Sequence, residues 1–171
     1  MKKGVYAGSF DPITNGHLWM IEQGILLFDE LVVAVGVNPD KTYTFSLEER
    51  MEMLRGSIRH LSQVRIEPLV NQFLVHYAHS IGAQYILRGI RNERDYEFER
   101  EIRHINSDLR PDIVTLFLIP PRKISEVSSS QVKGLIGPEG WEEVVRQYVP
   151  EATYHFLTEK YTRDSSTKKV G

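Results

Sequence analysis

Apolar positions along this chain follow two alternating periodicities. Short runs rich in valine, isoleucine and aromatic residues read as strands. Longer segments with apolar residues every third or fourth position read as amphipathic helices. Strands are predicted over 3–8, 30–37, 64–67, 84–87 and 113–119. Helices are predicted over 16–28, from Ser46 onward, and over 72–81, 93–109, 128–136, 139–147 and 150–160. The run from Glu30 to Val37 is almost continuously apolar, the pattern of a strand covered on both faces. Ser46 with Glu49 three residues later forms a capping box, Gly82 ends one helix, and Arg110-Pro111 ends another. Strands alternating with helices predict an α/β fold, a Rossmann-like, doubly wound, five-stranded parallel sheet with C-terminal helices. A single domain is expected over 1–161. The segment 162–171 is polar and without periodicity, and is predicted to be disordered.

In such sheets ligands sit beyond the carboxyl ends of the strands, and the candidate chemistry collects there. Tyr6 to His17 (Tyr-Ala-Gly-Ser-Phe-Asp-Pro-Ile-Thr-Asn-Gly-His) runs from the first strand through small residues to a helix start. That geometry suits a phosphate, because backbone N–H groups can approach an anion and the helix terminus adds unpaired donors. His17 is placed to donate to it. Lys41 follows the second strand in Asn-Pro-Asp-Lys, and Arg88-Gly89-Ile90-Arg91 closes the fourth, with two guanidinium groups for bidentate phosphate recognition. Ser128-Ser129-Ser130 enters a late helix and offers hydroxyl and backbone donors. Each has a plain alternative: a surface histidine, a solvated lysine, arginines paired to the acidic run that follows, a serine-rich N-cap. Their convergence on one end of the sheet favours a single site.

Composition narrows the partners. A length of 171 residues suits one domain with a sizeable core, and a net charge of −2 argues against a general nucleic-acid or anionic-membrane binder. A small anionic substrate needs only a local basic pocket. The absence of cysteine excludes disulfides and thiolate metal sites and favours a reducing compartment. No apolar run reaches membrane-spanning length and no signal peptide is evident, so a cytoplasmic location is expected. His76 and His79 share a helical face, but no carboxylate or thiol at ligand spacing accompanies them, and no protein metal site is expected.

The string Gly8-Ser9-Phe10-Asp11-Pro12 with Thr14-Asn15-Gly16-His17 resembles the Thr/His-x-Gly-His signature of the nucleotidyltransferase superfamily. Within it, the string is most similar to the phosphopantetheine adenylyltransferase family. Two further blocks match in order: Arg88-Gly89-Ile90-Arg91 leading to Asp95-Tyr96-Glu97-Phe98-Glu99, and Val127-Ser128-Ser129-Ser130-Gln131-Val132-Lys133. The likeness covers about residues 2–150. It implies adenylyl transfer from ATP to 4′-phosphopantetheine, giving dephospho-coenzyme A and pyrophosphate without a covalent enzyme intermediate. It also implies a homohexamer, and Mg²⁺ entering with ATP and held mainly by phosphates and water.

By the same resemblance, Ser9, Lys41 and Arg88 bind the acceptor phosphate, and Leu74 and Asn106 line the pantetheine arm, with core packing an equal reading of Leu74. His17, Lys41 and Arg91 act on the transition state. Ser9, Phe10, His17, Gly89, Ile90, Arg91, Glu99 and the run Ile124, Ser125, Glu126, Val127, Ser128, Ser129 and Ser130 form the nucleotide site. The chain departs from the family at Ile124-Ser125-Glu126, where an aromatic, Ser and Phe are usual, and again after Lys133. A related nucleotidyltransferase with another acceptor, such as nicotinamide mononucleotide, stays open as an alternative. So does a non-catalytic nucleotide-binding sensor.

Overall fold

In the computed structural model, which describes residues 1–167, five strands form one all-parallel sheet in the order β3-β2-β1-β4-β5. The elements are β1 (Lys3–Gly8), α1 (Asn15–Leu27), β2 (Glu30–Val37), α2 (Leu47–Ile58), β3 (Val64–Val70), α3 (Leu74–Ser80) and β4 (Tyr85–Gly89). They continue with α4 (Glu93–Leu109), β5 (Val114–Leu118), α5 (Arg122–Ser125), α6 (Ser129–Leu135), α7 (Trp141–Val145) and α8 (Glu151–Thr167).

The central strands explain their own composition. Because side chains alternate across a pleated strand, Leu31, Val33 and Val35 of β2 join one core with Tyr6 and Leu87. That core is covered by Met20 and Ile21 of α1, Leu54 and Ile58 of α2, and Leu157 of α8. Val32 and Ala34 of β2 join the other core with Val5, Ile86, and Val75 and Ala78 of α3. Both faces of β2 are therefore dry, and an alternating polar pattern there would bury unsatisfied groups.

β1 pairs with β2 as far as Gly8↔Val35, but with β4 only as far as Tyr6↔Leu87. Beyond Tyr6 the strands β1 and β4 part, and a crevice opens at the point where the chain order reverses. At the far edge, Val114 and Phe117 of β5 and Ile119 after it are exposed, as are Phe98 and Ile105 of α4. The sheet and helices thus leave an apolar surface on that side.

Within the segment 162–171, α8 is described through Thr167. A helix anchored by the fully buried Leu157 can extend at little cost, since nucleation and not propagation is the expensive step. Residues 168–171 lie outside the described residues. Among the described residues no helix is long and apolar enough to cross a membrane.

Candidate active site

Two adjoining cavities occupy the carboxyl end of the sheet. One, of about 350 Å³, lies over the β1–β4 crevice and is bounded by the β1–α1 turn, His17, Arg88, Arg91 and the start of α6. The other, of about 650 Å³, lies towards β2 and β3 and is bounded by Gly36 to Pro39, Tyr43, Leu69 and Phe73. Ala7, Gly8, Ser9, Lys41 and Arg88 border both. A group held by Ser9, Lys41 and Arg88 therefore sits at the junction of two compartments.

The turn after β1 is shaped by close packing. A Cβ on Gly8 would come within 3.0 Å of the Phe10 ring, so glycine lets that ring fold back under the strand. Phe10 itself takes a left-handed backbone (φ 49°) while fully buried, with its ring edge-on to His17 at 5.1 Å. A non-glycine residue there costs roughly 1 kcal/mol of strain, offset by the burial of its ring. The turn is further pinned from α6, where Ser129 Oγ donates to the Pro12 carbonyl at 2.7 Å.

His17, in the first turn of α1, is held by Thr14. The Thr14 N–H donates to His17 Nδ1 at 3.1 Å, and Thr14 Oγ1 lies 2.9 Å from the same nitrogen. A backbone donor aimed at Nδ1 requires a lone pair there, so the neutral ring carries its proton on Nε2. Burial, and then the positive charge of Arg91, lower the His17 pKa from 6.5 to about 4. The imidazole is a neutral Nε2–H donor at the cavity wall across the physiological range.

The cations are arranged in pairs. Arg88 donates through Nε to Glu99 Oε2 at 2.8 Å and through Nη2 to Oε1, while its Nη1 donates to the Ala7 carbonyl at 3.1 Å, beyond the end of the β1–β4 ladder. Burial disfavours the Arg88 charge, but the hydrogen bonds and charge of Glu99 outweigh it and hold the pKa above its ordinary value. Glu99, only 6% exposed, is thereby committed to orienting Arg88. Arg91 is clasped by Asp95, which accepts from its Nε at 2.8 Å and its N–H at 3.1 Å. Burial raises the Asp95 pKa, and the Arg91 contacts more than reverse that, leaving it lowered. Lys41 Nζ donates to Ser9 Oγ at 3.1 Å.

Of the expected site residues, Ser9, Phe10, His17, Lys41, Arg88, Gly89, Arg91, Glu99, Ile124 and Val127 to Ser130 meet around the first cavity. Five others border neither cavity. Leu74 packs against the core beneath α3, and the Ile90 N–H is used by the Leu118 carbonyl. Asn106 is buried on α4, Ser125 Oγ donates back to the Arg122 carbonyl, and Glu126 is an exposed helix cap. Among the serines, Ser128 Oγ caps α6 by accepting from Gln131 and Ser129 holds Pro12, so two of the three hydroxyls already have structural partners.

Sequence reasoning passed over an ion pair that is buried at its carboxylate end. Asp11, 2% exposed, accepts from Lys133 Nζ at 2.8 Å and from the N–H groups of Thr44 and Phe45. Burial opposes its ionisation, but Lys133 and the two N–H donors win, and its pKa is lowered. Both residues stood inside quoted motifs; a carboxylate in an otherwise small and apolar turn was the available signal.

A parallel 3-2-1-4-5 sheet with a histidine-bearing helix start and paired arginines at its switch point defines a nucleotidyltransferase of the cytidylyltransferase-like family, whose model matches residues 5–135. The solved nicotinic acid mononucleotide adenylyltransferase of Plasmodium falciparum, in complex with NaAD, shares the fold. It has a TM-score of 0.68 over 94% of this chain and 96% of that one, at 18% identity. Among curated proteins, the phosphopantetheine adenylyltransferase of Chromobacterium violaceum is 62% identical over 162 residues, spanning 95% of this chain and 99% of the relative. That of Neisseria meningitidis is 53% identical over 164 residues, spanning 96% of each. The chain belongs to the phosphopantetheine adenylyltransferase family.

Proposed function

We propose that this chain catalyses adenylyl transfer from ATP to 4′-phosphopantetheine, yielding dephospho-coenzyme A and pyrophosphate in coenzyme A biosynthesis. The observation that carries the reading is the near full-length identity to relatives of that name. The two cavities meeting at Ser9, Lys41 and Arg88 fit it, since an acceptor phosphate there would have its organic arm in one compartment and ATP in the other. Leu74 and Asn106 remain assigned to the acceptor arm by family resemblance, and Ile90, Ser125 and Glu126 to the nucleotide.

The chemistry needs no protein nucleophile. An oxygen of the acceptor phosphate forms the new bond to the α-phosphorus of ATP as the α–β bridging bond breaks, and the electron pair leaves with pyrophosphate. Catalysis then rests on positioning and on stabilising charge at the phosphoryl oxygens. Ser9, Lys41 and Arg88 orient the acceptor. His17 donates through Nε2–H to the α-phosphoryl oxygens. Arg91 and the start of α6 hold the departing phosphates.

Magnesium fits as a companion of ATP, neutralising charge on the leaving group. The three cavity carboxylates Asp11, Asp95 and Glu99 are each paired with a cation of the protein, so phosphate and water oxygens would supply most of its ligands. A homohexamer accords with the exposed apolar surface of α4 and β5, and a cytoplasmic location with the cysteine-free composition.

Pyrophosphate release from MgATP tests the reading with 4′-phosphopantetheine, nicotinamide mononucleotide or no acceptor. Release is expected only with phosphopantetheine. Activity confined to nicotinamide mononucleotide would move the chain to the alternative acceptor, and ATP binding without any turnover would make it a sensor.

A further inference from the structure

Arg50 stands out among the buried residues. It lies in the first turn of α2, is 1% exposed and borders neither cavity. Its Nη1 donates to the Ser9 carbonyl at 2.7 Å and to the Gly36 carbonyl at 3.0 Å. Its guanidinium lies over the Tyr43 ring, 4.1 Å from the centroid. Among the described residues no carboxylate lies within ion-pair distance, and Nε is buried without a partner. A buried cation with an unsatisfied N–H is expensive, and an apolar side chain could fill the same space more cheaply. The fold therefore gives no account of a guanidinium at this position.

The groups it touches supply one. Ser9 directly follows β1 and Gly36 is the penultimate residue of β2, and both border the second cavity. The Tyr43 hydroxyl accepts from the Asn38 N–H at 2.9 Å and so fastens the loop that carries Lys41. Lys41 Nζ lies 5.7 Å from the same ring and donates to Ser9 Oγ. Arg50 thus grips the Ser9 turn with one nitrogen and the Lys41 loop through Tyr43. We propose that Arg50 is a positioning residue for the acceptor-phosphate subsite, a buried clamp that fixes Ser9 against Lys41. The assignment of that subsite rests on the functional reading above. Lysine cannot substitute fully, because an ammonium could reach the two carbonyls that Nη1 bonds but lacks the planar guanidinium face that lies over the Tyr43 ring.

The test is Arg50→Lys and Arg50→Met, with kcat and KM measured separately for each substrate beside urea unfolding. Misplacement of binding groups by about 1 Å costs on the order of 100-fold, and that loss is expected in kcat/KM for phosphopantetheine, with the KM for ATP near the wild-type value. Wild-type kcat/KM in Arg50→Met would overturn the proposal. So would a loss shared equally by both substrates that tracks stability. Should Arg50→Met fail to fold, Tyr43→Leu removes the ring that the guanidinium covers together with the hydroxyl that holds Asn38, and so breaks the same link to the Lys41 loop. It must give the same acceptor-selective loss and less than additive effects with Arg50→Lys.

Amide hydrogen exchange separates this proposal from the functional reading. Arg50→Lys should speed exchange at residues 8–10 and 38–43 and leave α6 unchanged, whether or not the protein turns phosphopantetheine over. Unaltered exchange in both loops would refute the clamp even in an active enzyme.

Discussion

Lowering the pH should selectively destabilise this protein through His17. Unfolded, the imidazole has a pKa of 6.5; folded, burial and Arg91 hold it at about 4. Below pH 6.5 the unfolded chain takes up a proton that the folded chain refuses, so stability present above pH 6.5 is lost as the pH falls towards 4. The gap corresponds to about 3 kcal/mol in full at 1.36 kcal/mol per pH unit, and about 2 kcal/mol of it is gone by pH 5. These are upper figures, because one edge of the ring meets the open cavity, where water screens charge. The assay is urea unfolding at fixed protein concentration between pH 7.5 and 4.5, comparing wild type with His17→Gln. The remaining histidines are common to both, so the difference between the two curves isolates His17. The wild-type advantage should be constant above about pH 7 and shrink steadily from pH 6.5 to the lower end of that window. Histidine-selective NMR should find the proton on Nε2 and no titration near 6.5. A pH-independent difference, or an ordinary His17 titration, would refute both the neutral ring and its role as an Nε2–H donor. In kinetics, removing the donor should cost about 10²–10³ in kcat.

Two further outcomes follow from the paired charges. Glu99→Gln keeps the shape but weakens the bidentate hold on Arg88. It should raise the KM for phosphopantetheine roughly tenfold, a loss of about 1.4 kcal/mol, and an unchanged KM would show that Arg88 needs no orienting partner. Asp11→Asn leaves Lys133 without its counter-charge, and because the Lys133 side chain keeps 27% exposure the loss should be about 1–2 kcal/mol, below that of a fully buried pair. Urea unfolding measures it, and a change below about 1 kcal/mol would mean that Lys133 simply turns to solvent.

Much of this architecture was legible before the structure. The limits of β1, β2 and α4 coincide with the pattern, because continuous apolar runs and a capped, proline-terminated helix leave few alternatives. Pro68 made β3 look shorter than it is. Proline is tolerated there because β3 lies at the edge of the sheet, and the strand continues to Val70. The four-residue α5 carries too little periodicity to announce itself. In the site, His17, Lys41, Arg88 and Arg91 were readable because each lies near the end of a strand, and the α6 serines because they open a helix. The distant contacts were not: Arg50 reaches back 41 positions to Ser9, and Lys133 reaches back 122 to Asp11. Such pairings depend on the tertiary fold and leave no trace in local pattern. The Glu99–Arg88 and Asp95–Arg91 pairs, by contrast, are the pairing of arginines to the following acidic run that the sequence offered as the plain alternative.

The central claim is direct transfer of an adenylyl group to an acceptor phosphate, and rapid acid quench with [α-³²P]ATP, Mg²⁺ and 4′-phosphopantetheine tests it most directly. The account predicts that label moves from ATP to dephospho-coenzyme A in step with pyrophosphate release. None should be retained on protein, and the rate should collapse in His17→Ala. Label trapped on the protein before product appears, or no transfer to phosphopantetheine by an enzyme that binds ATP, would contradict it.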